Sequence, residues 1–265
     1  MRSERPEYFD IHSHLNFESY DADREELIEK LASQKIWTTT VGTDIKTSKE
    51  ALQLAEKYPN IFATIGNHPG DSKEIFQTEV FETMVKNPKV VAIGECGLDY
   101  GKEGIAEDRE KIRQKNDFET QIEFSIRHKK PLMIHCRNAY KDLLDILESK
   151  KKSYGDALSA HMHFFAGDLD ILKRCLDNNF SVSFTGVITF ARQYHELVRY
   201  APENMIMAET DAPFVTPVPY RGRRNEPAYV AHVVKAIASI REENIVEVKK
   251  ALVDNAFKVF LTNSV

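Results

Sequence analysis

The chain has 265 residues, of which 42% are hydrophobic and 29% are charged, a composition typical of a folded globular protein. No apolar run approaches the roughly 20 residues of a membrane span, and no apolar signal core follows the charged N-terminus, so we expect neither a membrane protein nor an export signal. The net charge of −5 excludes general attraction to a polyanion, so contact with nucleic acid would need local cations or bound metal.

Three cysteines, Cys96, Cys136 and Cys175, form no spaced framework, and their odd number argues against a disulfide-stapled secreted module. We therefore expect a reducing, cytoplasmic environment. The length suits one α/β barrel, and no linker, repeat or low-complexity tract interrupts the chain. We expect residues 1–265 to form a single domain, and no feature calls for an obligate protein partner.

Short apolar or β-branched runs alternate with longer stretches that have helical spacing. Leu27, Ile28 and Leu31 show this spacing in the first such stretch. The short runs predict eight strands, at residues 8–12, 37–41, 61–65, 90–93, 132–135, 158–163, 180–184 and 205–209. Eight is the number that closes a parallel barrel, so we predict an α/β fold, a (β/α)8 TIM barrel with its active site at the C-terminal ends of the strands.

Two loops of this predicted barrel are long enough to shape an active site. Residues 99–108 contain glycine and charged residues and follow the fourth predicted strand. Residues 213–227 are rich in proline and arginine, follow the eighth strand and precede two final predicted helices. Loops that follow barrel strands surround the catalytic mouth, so we expect both to lie there.

Several metal-ligand residue types lie at the C-terminal ends of the predicted strands. They are His12, His14, Glu95, His135, His163 and Asp211. The strand period of two places His12 and His14 on the same side, so both can face one cation. Imidazole nitrogens and carboxylate oxygens are ligands that divalent ions prefer, which predicts a metal centre.

Glu95 has two carboxylate oxygens and could bridge two ions. The remaining ligands would then divide into His12, His14 and Asp211 around one ion and His135 and His163 around the other. Two ions a short distance apart can hold a hydroxide nucleophile and stabilise both the attacking and leaving oxygens of a displacement. The set therefore predicts a hydrolytic centre.

Three neighbouring side chains have competing interpretations. Cys96 and Cys136 directly follow two predicted ligands, and strand alternation predicts that both face away from the mouth. His161 shares the predicted face of His163 and could be either a ligand or a hydrogen-bond partner of a ligand.

Four segments, in their order and spacing, resemble the TatD-related metal-dependent DNases of the amidohydrolase-like barrel superfamily, and the resemblance covers nearly the whole chain. They are Asp10-Ile-His12-Ser-His14-Leu15, Gly94-Glu95-Cys-Gly97-Leu-Asp-Tyr100, Pro131-Leu-Met-Ile-His135-Cys-Arg137, and Glu209-Thr-Asp211-Ala-Pro213-Phe214 continuing to Pro217-Val-Pro-Tyr-Arg-Gly-Arg-Arg-Asn-Glu-Pro227. The resemblance implies the same division of ligands, with Glu95 shared. It also implies Mg2+-supported hydrolysis of DNA, often from the 3′ end of single strands, with Zn2+ or Mn2+ as alternative metals.

The chain departs from the family pattern at two places. His68-Pro69-Gly70 stands where the family commonly has His-Pro-His, which puts a substrate contact near the third strand in doubt. The segment His163-Phe-Phe-Ala-Gly167 lacks the usual cysteine after its histidine, for which we expect a change in packing only. Neither departure touches the six predicted ligands.

We hypothesise that Asp211 acts both as a ligand and as the general base, and that Glu95 is catalytic with it. Capping of the next turn is the structural alternative for Asp211. Guanidinium groups bind phosphate through two parallel hydrogen bonds, so basic loop residues are expected to bind substrate. The candidates for substrate binding are His68, Arg137, Arg221 and Arg223, with Arg224 in the same cluster. Tyr100, Phe214 and Tyr220 could stack bases or simply pack their loops.

The function predicted from these residues is that of a deoxyribonuclease of the 3′–5′ exonuclease type, acting in DNA degradation. One alternative is a metal-dependent amide or ester hydrolase, such as an aminoacyl-tRNA deacylase, since the same barrel supports that chemistry. A second alternative is a non-catalytic nucleic-acid-binding barrel. An arginine-rich rim favours a substrate that contains phosphate. Hydrolases of this barrel that bridge two metals with a carboxylated lysine would need Lys in place of Glu95.

Overall fold

Eight parallel strands hydrogen-bond to one another in chain order in the computed structural model, which describes residues 5–70, 75–101 and 107–261. The strands are β1 (Tyr8–Ser13), β2 (Ile36–Val41), β3 (Ile61–Ile65), β4 (Val90–Asp99), β5 (Leu132–Arg137), β6 (Ala160–Met162), β7 (Ser181–Phe184) and β8 (Ile206–Ala208). Nine α-helices among the described residues connect or follow them. They are α1 (Arg24–Ser33), α2 (Ile45–Lys57), α3 (Thr78–Met84), α4 (Asp108–His128), α5 (Tyr140–Tyr154), α6 (Leu169–Asp177), α7 (His195–Tyr200), α8 (Val230–Arg241) and α9 (Ile245–Ala256).

The sheet curves round until its first and last strands meet. Ser13 and Ala212 form a parallel bridge, and two main-chain hydrogen bonds flank it. Asp211 N donates to His12 O at 2.9 Å, and His14 N donates to Ala212 O at 2.7 Å. The predicted TIM barrel is therefore confirmed, and two metal-ligand candidates of β1 lie on the seam that closes it.

Amphipathic helices cover the outside of the barrel as their spacing predicts. In α1, Leu27, Ile28 and Leu31 are buried, and α5 buries three leucines in the same way. The N-termini of α2 and α6 are capped by Asp44 and Asp168, whose carboxylates accept hydrogen bonds from main-chain amides in the first turn. The first turn of α2 also borders a cleft at the catalytic end of the barrel, through Lys46 and Thr47.

Strand β4 is longer than the predicted strand at residues 90–93. It continues to Asp99 across an irregularity between Ile93 and Cys96. Gly97 has φ +133°, and a Cβ there would lie 2.1 Å from the carbonyl oxygen of His135, so only glycine fits. Asp99 consequently ends a strand instead of opening the predicted loop 99–108, of which residues 102–106 lie outside the described part.

Two other predicted strands are shorter in the structure than in the sequence. Strand β6 spans three residues within the predicted 158–163, and β8 spans three within the predicted 205–209. In both cases the strand ends directly before a polar residue, His163 after β6 and Glu209 after β8. His163 and Asp211 therefore stand just after their strands, where side chains can turn into the mouth.

The opposite end of the barrel is filled by apolar side chains. Phe9, Trp37 and Phe62 from β1 to β3 form an aromatic cluster with Phe257, with ring centroids 5.4–6.2 Å apart. Phe260 from the same C-terminal segment is also buried in this core. The barrel is thus packed at its N-terminal end and opens at its C-terminal end. In the described part of the chain, the helices are too short or too polar to cross a membrane.

Candidate metal centre

The first group of candidate ligands lies at the seam between β1 and β8. His12 and His14 extend from β1 with their Nε2 atoms 3.3 Å apart. Asp211 follows β8, and its Oδ1 lies 3.7 Å from His12 Nε2 and 3.5 Å from His14 Nε2. All three residues are buried, and their donor atoms converge tightly enough to hold one metal ion.

The second group lies on the neighbouring strands. His135 Nδ1 is 3.0 Å from Glu95 Oε1, and His163 Nε2 is 2.9 Å from the same oxygen. The two histidine nitrogens are 3.5 Å apart. His68, after β3, joins this group with its Nε2 3.5 Å from Glu95 Oε1.

Glu95 lies between the two groups and offers one oxygen to each. While Oε1 faces His135 and His163, Oε2 lies 3.4 Å from His12 Nε2 and 3.8 Å from His14 Nε2. The Glu95 side chain is almost completely buried. The structure thus brings the six predicted ligand residues together, and their division between two ions stays a prediction. Two further groups of donor atoms are close enough to hold an ion: His12, His163 and Glu209, and His68, Glu95 and His135.

The donor spacing fits a pair of divalent ions. Ligand atoms around a tetrahedral ion, each bound at about 2.1 Å, lie roughly 3.4 Å from one another. The measured separations between donor atoms within each group, with Glu95 included in both, run from 2.9 to 3.8 Å. Such a concentration of buried imidazole and carboxylate groups would be costly without cations to pair with the carboxylates.

The electrostatics keep both carboxylates ionised. Burial alone would raise the pKa of Glu95, but His163, His68 and His12 together bring it well below the ordinary value. Burial opposes ionisation of Asp211 in the same way, and a hydrogen bond from His14 with the charges of His12 and His163 lowers its pKa. An ionised carboxylate has no hydrogen to donate and can only accept hydrogen bonds. This ionised form is the one that binds metal.

A cavity of about 860 Å³ opens directly over these groups. Its wall includes His14, Glu95, His135, His163 and Asp211, so both groups face the same space. The remainder of the wall is mixed polar and aromatic. A substrate group in the cavity would therefore lie against both groups of donor residues.

The chain matches the family model described as TatD related DNase over residues 9–261. It is 37% identical to YabD of Bacillus subtilis, described as an uncharacterized metal-dependent hydrolase, across 96% of this chain and 99% of that protein. It is 31% identical to the 3′–5′ ssDNA/RNA exonuclease TatD of Salmonella typhimurium, covering 89% of this chain and 92% of that protein.

The chain belongs to the TatD family. A crystal structure of YjjV, a TatD homologue from Escherichia coli, superposes with a TM-score of 0.85 at 25% identity, covering 96% of this chain and 98% of YjjV. The family resemblance expected from the sequence is confirmed, and the protein is a metal-dependent hydrolase.

The predicted substrate-binding residues of this TatD protein separate into two sets. Arg137 and His68 line the cavity, and the Arg137 side chain is 51% exposed. Arg221 and Arg223 are not among the cavity-lining residues; Arg221 donates to Thr216 O and lies 4.0 Å over the Phe190 ring. Arg224 forms an ion pair with Asp23. Phosphate binding by Arg221 and Arg223 stays a prediction.

The three aromatic residues that could stack bases also differ in their positions relative to the cavity. Tyr100 is buried and donates its hydroxyl hydrogen to Asp142 at 2.7 Å, while Tyr220 stacks on Tyr229 with ring centroids 4.2 Å apart. Both therefore pack their loops. Phe214 is 51% exposed and lines the cavity.

The open question about His161 has a structural answer. Its Nδ1 lies 2.8 Å from Ser181 Oγ and its Nε2 lies 2.8 Å from Ser183 Oγ. Both nitrogens are therefore occupied by hydroxyls instead of facing the ligand groups. Burial, with the charges of His163 and His12, holds its pKa well below the ordinary value, so this histidine is a neutral hydrogen-bonding residue beneath the centre.

The two cysteines beside predicted ligands belong to no potential metal-binding group in the described part of the chain. Cys96 is fully buried in the layer between strands and helices, as alternation predicts. Cys136 packs partly against that layer and also reaches the edge of the cavity.

Gly70 lines the cavity, where a Cβ would make ordinary contacts with His68 and Asp99 at 3.4 and 3.6 Å. The departure from the family pattern therefore leaves space beside Asp99.

Three carboxylates that support the centre were missing from the sequence prediction. Glu209 Oε1 lies 3.4 Å from His163 Nδ1 and accepts from Phe164 N, and its Oε2 accepts from Ser183 Oγ. Asp10 accepts two hydrogen bonds from Thr210 across the seam. The sequence contained a signal for Glu209 and Asp10. Each stands two residues before a predicted ligand and so shares the strand side of that ligand.

Asp99 is the third of these carboxylates and orients His135. Asp99 Oδ2 accepts from His135 Nε2 at 2.9 Å, which leaves the His135 Nδ1 lone pair directed toward Glu95. Burial opposes ionisation of Asp99, but hydrogen bonds from His135 and Gly101 N outweigh it and lower the pKa of Asp99 to about 2. Carboxylates in this position fix the tautomer of a ligand histidine.

We expect Asp99→Asn to weaken metal binding roughly 10- to 100-fold, because the amide removes the charge that fixes His135. Titration calorimetry of the metal-free protein with Mn2+ measures the change. The matched control is Asp142→Asn, which removes a carboxylate bound to Tyr100 and Lys115 outside the centre. Equal Mn2+ affinity in Asp99→Asn and the unaltered protein would contradict this orienting role.

Proposed function

We propose that the protein is a deoxyribonuclease that hydrolyses phosphodiester bonds and removes nucleotides from the 3′ end of single-stranded DNA. The observation that carries the proposal is the position of Glu95, with one oxygen toward each group of histidines. A centre that could hold two cations suits an in-line displacement, because the attacking oxygen begins with negative charge and the leaving oxygen ends with it. The family description and the printed name of the Salmonella relative support the substrate class.

In this proposal His12, His14 and Asp211 would hold one ion, His135 and His163 would hold the other, and Glu95 would serve both. When bound, the two ions supply Lewis-acid chemistry that activates water near neutral pH and neutralises charge on phosphate. We propose Mg2+ as the ion for activity, with Mn2+ or Zn2+ as substitutes.

The protein's own residues then position and deprotonate the reactants. Asp211 is ionised on the cavity wall, so its carboxylate can accept the proton of the attacking water. Arg137 is the guanidinium that lines the cavity in the described part of the chain, where it can donate to phosphate oxygens. Its ion pair with Asp99, 3.4 Å between Nη1 and Oδ2, holds the guanidinium on the rim beside the His135 group. His68 borders the same space and can donate a hydrogen bond to substrate.

The test uses metal-stripped protein to which Mg2+, Mn2+ or Zn2+ is restored singly. Substrates are 5′-labelled single- and double-stranded DNA, RNA of the same sequence, and an aminoacyl ester. We expect Mg2+ to yield a ladder of single-stranded DNA products shortened from the 3′ end. Internal fragments of random length would contradict exonuclease action, and hydrolysis of the ester with intact DNA would favour the alternative hydrolase.

A further inference from the structure

Two phenylalanines separate the main cavity from a neighbouring cleft of about 380 Å³ and line both spaces. Phe17 follows β1 and stacks on the His14 ring, with centroids 4.4 Å apart and planes inclined by 24°. Phe214 follows Asp211, and its ring centroid lies 6.4 Å from that of Phe17 and 6.1 Å from that of His14. The pair thus stands immediately beside the first group of ligands.

We infer that Phe17 and Phe214 form a stacking subsite for the nucleobase next to the phosphate that is cleaved, an inference that rests on the proposed function. The occupant is a single unpaired base. The adjoining cleft would take the sugar and the next nucleotide of the strand.

The first argument is exposure combined with a fixed main chain. Half of the Phe214 side chain is exposed, although burying a ring of this size would be favourable. Its amide donates to Asp211 O at 2.8 Å, and its carbonyl accepts from Asn225 Nδ2. Because the loop is held on both sides, the ring can stack on a base with little further loss of conformational entropy.

Phe17 is held in the same way on the other side of the seam. Its amide donates to His14 O at 3.0 Å, and its carbonyl accepts from Arg24 Nη2 at 2.9 Å. The main-chain amides of both phenylalanines therefore donate hydrogen bonds to the carbonyl oxygens of candidate metal ligands. Because the two ring planes are inclined by 77°, a base that stacks on Phe214 would lie across Phe17 at a steep angle, with its own phosphate beside the metal centre.

The second argument is the lining of the cleft. Its surface is mainly apolar, with Pro213 beside the two phenylalanines, and Lys46, Glu50 and Ser19 are among the polar residues that border it. An apolar aromatic surface with polar residues at its border suits the face of a base with its sugar. Lys46 is 72% exposed at this border, where its Nζ lies 3.8 Å from Glu50 Oε1, and its ammonium can approach the phosphate of the next nucleotide.

The subsite is expected to tolerate every base. The amide of Asn16, which borders the cleft, is already used: Nδ2 donates to Thr47 O at 3.2 Å, and Oδ1 accepts from Thr40 Oγ1 at 2.9 Å. Without a free amide to read the base edge at this position, stacking provides affinity but no sequence preference.

The experiment compares Phe214→Ala, Phe214→Trp and the unaltered protein on single-stranded DNA and on the same DNA with one abasic residue, moved stepwise through the 3′-terminal positions. We expect the unaltered protein to show a KM roughly 10-fold or more higher for the abasic strand at one position, with similar kcat. Phe214→Ala should lose this difference, and Phe214→Trp should keep it.

The matched control is Tyr200→Ala, which removes an exposed ring at the C-terminal end of α7, away from the mouth. Tyr200→Ala should retain the full difference between the two strands. An unchanged difference in Phe214→Ala would overturn the subsite, while continued DNA hydrolysis in that variant would leave the proposed function intact.

A second measurement is independent of hydrolysis. Phe214→Trp places an indole at the subsite, and the natural Trp37 lies in the aromatic cluster at the opposite end of the barrel. We expect an oligonucleotide with non-hydrolysable phosphorothioate linkages to quench the fluorescence of the added indole, and the abasic version to quench it much less. Equal quenching by the two would overturn the inference. Quenching that depends on the base would uphold it even if the protein failed to hydrolyse DNA, in which case only the proposed function would fall.

Discussion

Glu95→Gln is expected to lower kcat for phosphodiester hydrolysis about 10³-fold or more at saturating Mg2+. The amide keeps the shape of the side chain but replaces one carboxylate oxygen by a hydrogen-bond donor. Since Glu95 offers one oxygen to each group of histidines, either orientation of the amide removes an acceptor from one of them. Steady-state kinetics on single-stranded DNA measure the loss.

The control for this change is Glu196→Gln, an exposed carboxylate on α7 that lines a different surface cleft. It should retain the activity of the unaltered protein. If Glu95→Gln reduced kcat by less than a few-fold while remaining folded, a bridging role for Glu95 would have to be abandoned.

Removal of divalent ions is the second change with a large expected effect. Chelation should abolish hydrolysis, and restoring an ion at about 100 times its dissociation constant should stabilise the fold by roughly 2.7 kcal/mol, because the ion binds the native state alone. For a chain of this size that corresponds to a rise in Tm of about 5–10 °C. Differential scanning fluorimetry and activity assays at each added ion measure both effects.

A variant that lacks one of the three candidate ligands at the seam provides the comparison for the ion experiment. His14→Ala should lose much of the thermal shift, while Asp142→Asn should show it in full. A Tm that does not respond to Mg2+, Mn2+ or Zn2+ would argue against a metal centre at these residues. Activity that survives exhaustive chelation would argue the same independently.

The barrel and the ligand groups were predictable from the sequence because both depend on local patterns. Each predicted strand is a short apolar run, and each predicted ligand is a polar residue at its end, so the period of two determines which side chains face the mouth. The division between the two ions followed from the chemistry of Glu95, which has two oxygens. The structure brings these donors within a few ångströms of one another, together with His68 and Glu209.

Other features depend on contacts between distant parts of the chain and were therefore not predictable. The irregularity in β4 places Asp99 against His135, and the sequence alone suggested a loop beginning there. Arg224 is paired with Asp23 from the loop that precedes α1, so a cluster of arginines did not translate into a cluster of free cations. The direction in which a loop side chain points depends on such partners. The spacing of residues in the sequence does not reveal which partners these are.

The contact between β1 and β8 joins residues that are synthesised at very different times. His12 and His14 come from the first strand, whereas Asp211 follows the last, about 200 residues later in the chain, and Asp10 bonds Thr210 across the same seam. A growing polypeptide can display the first two imidazoles early, but the cation pocket they share is incomplete until nearly four-fifths of the chain has been synthesised. An ion held at the seam would therefore link two residues near the beginning of the chain to one about 200 positions later.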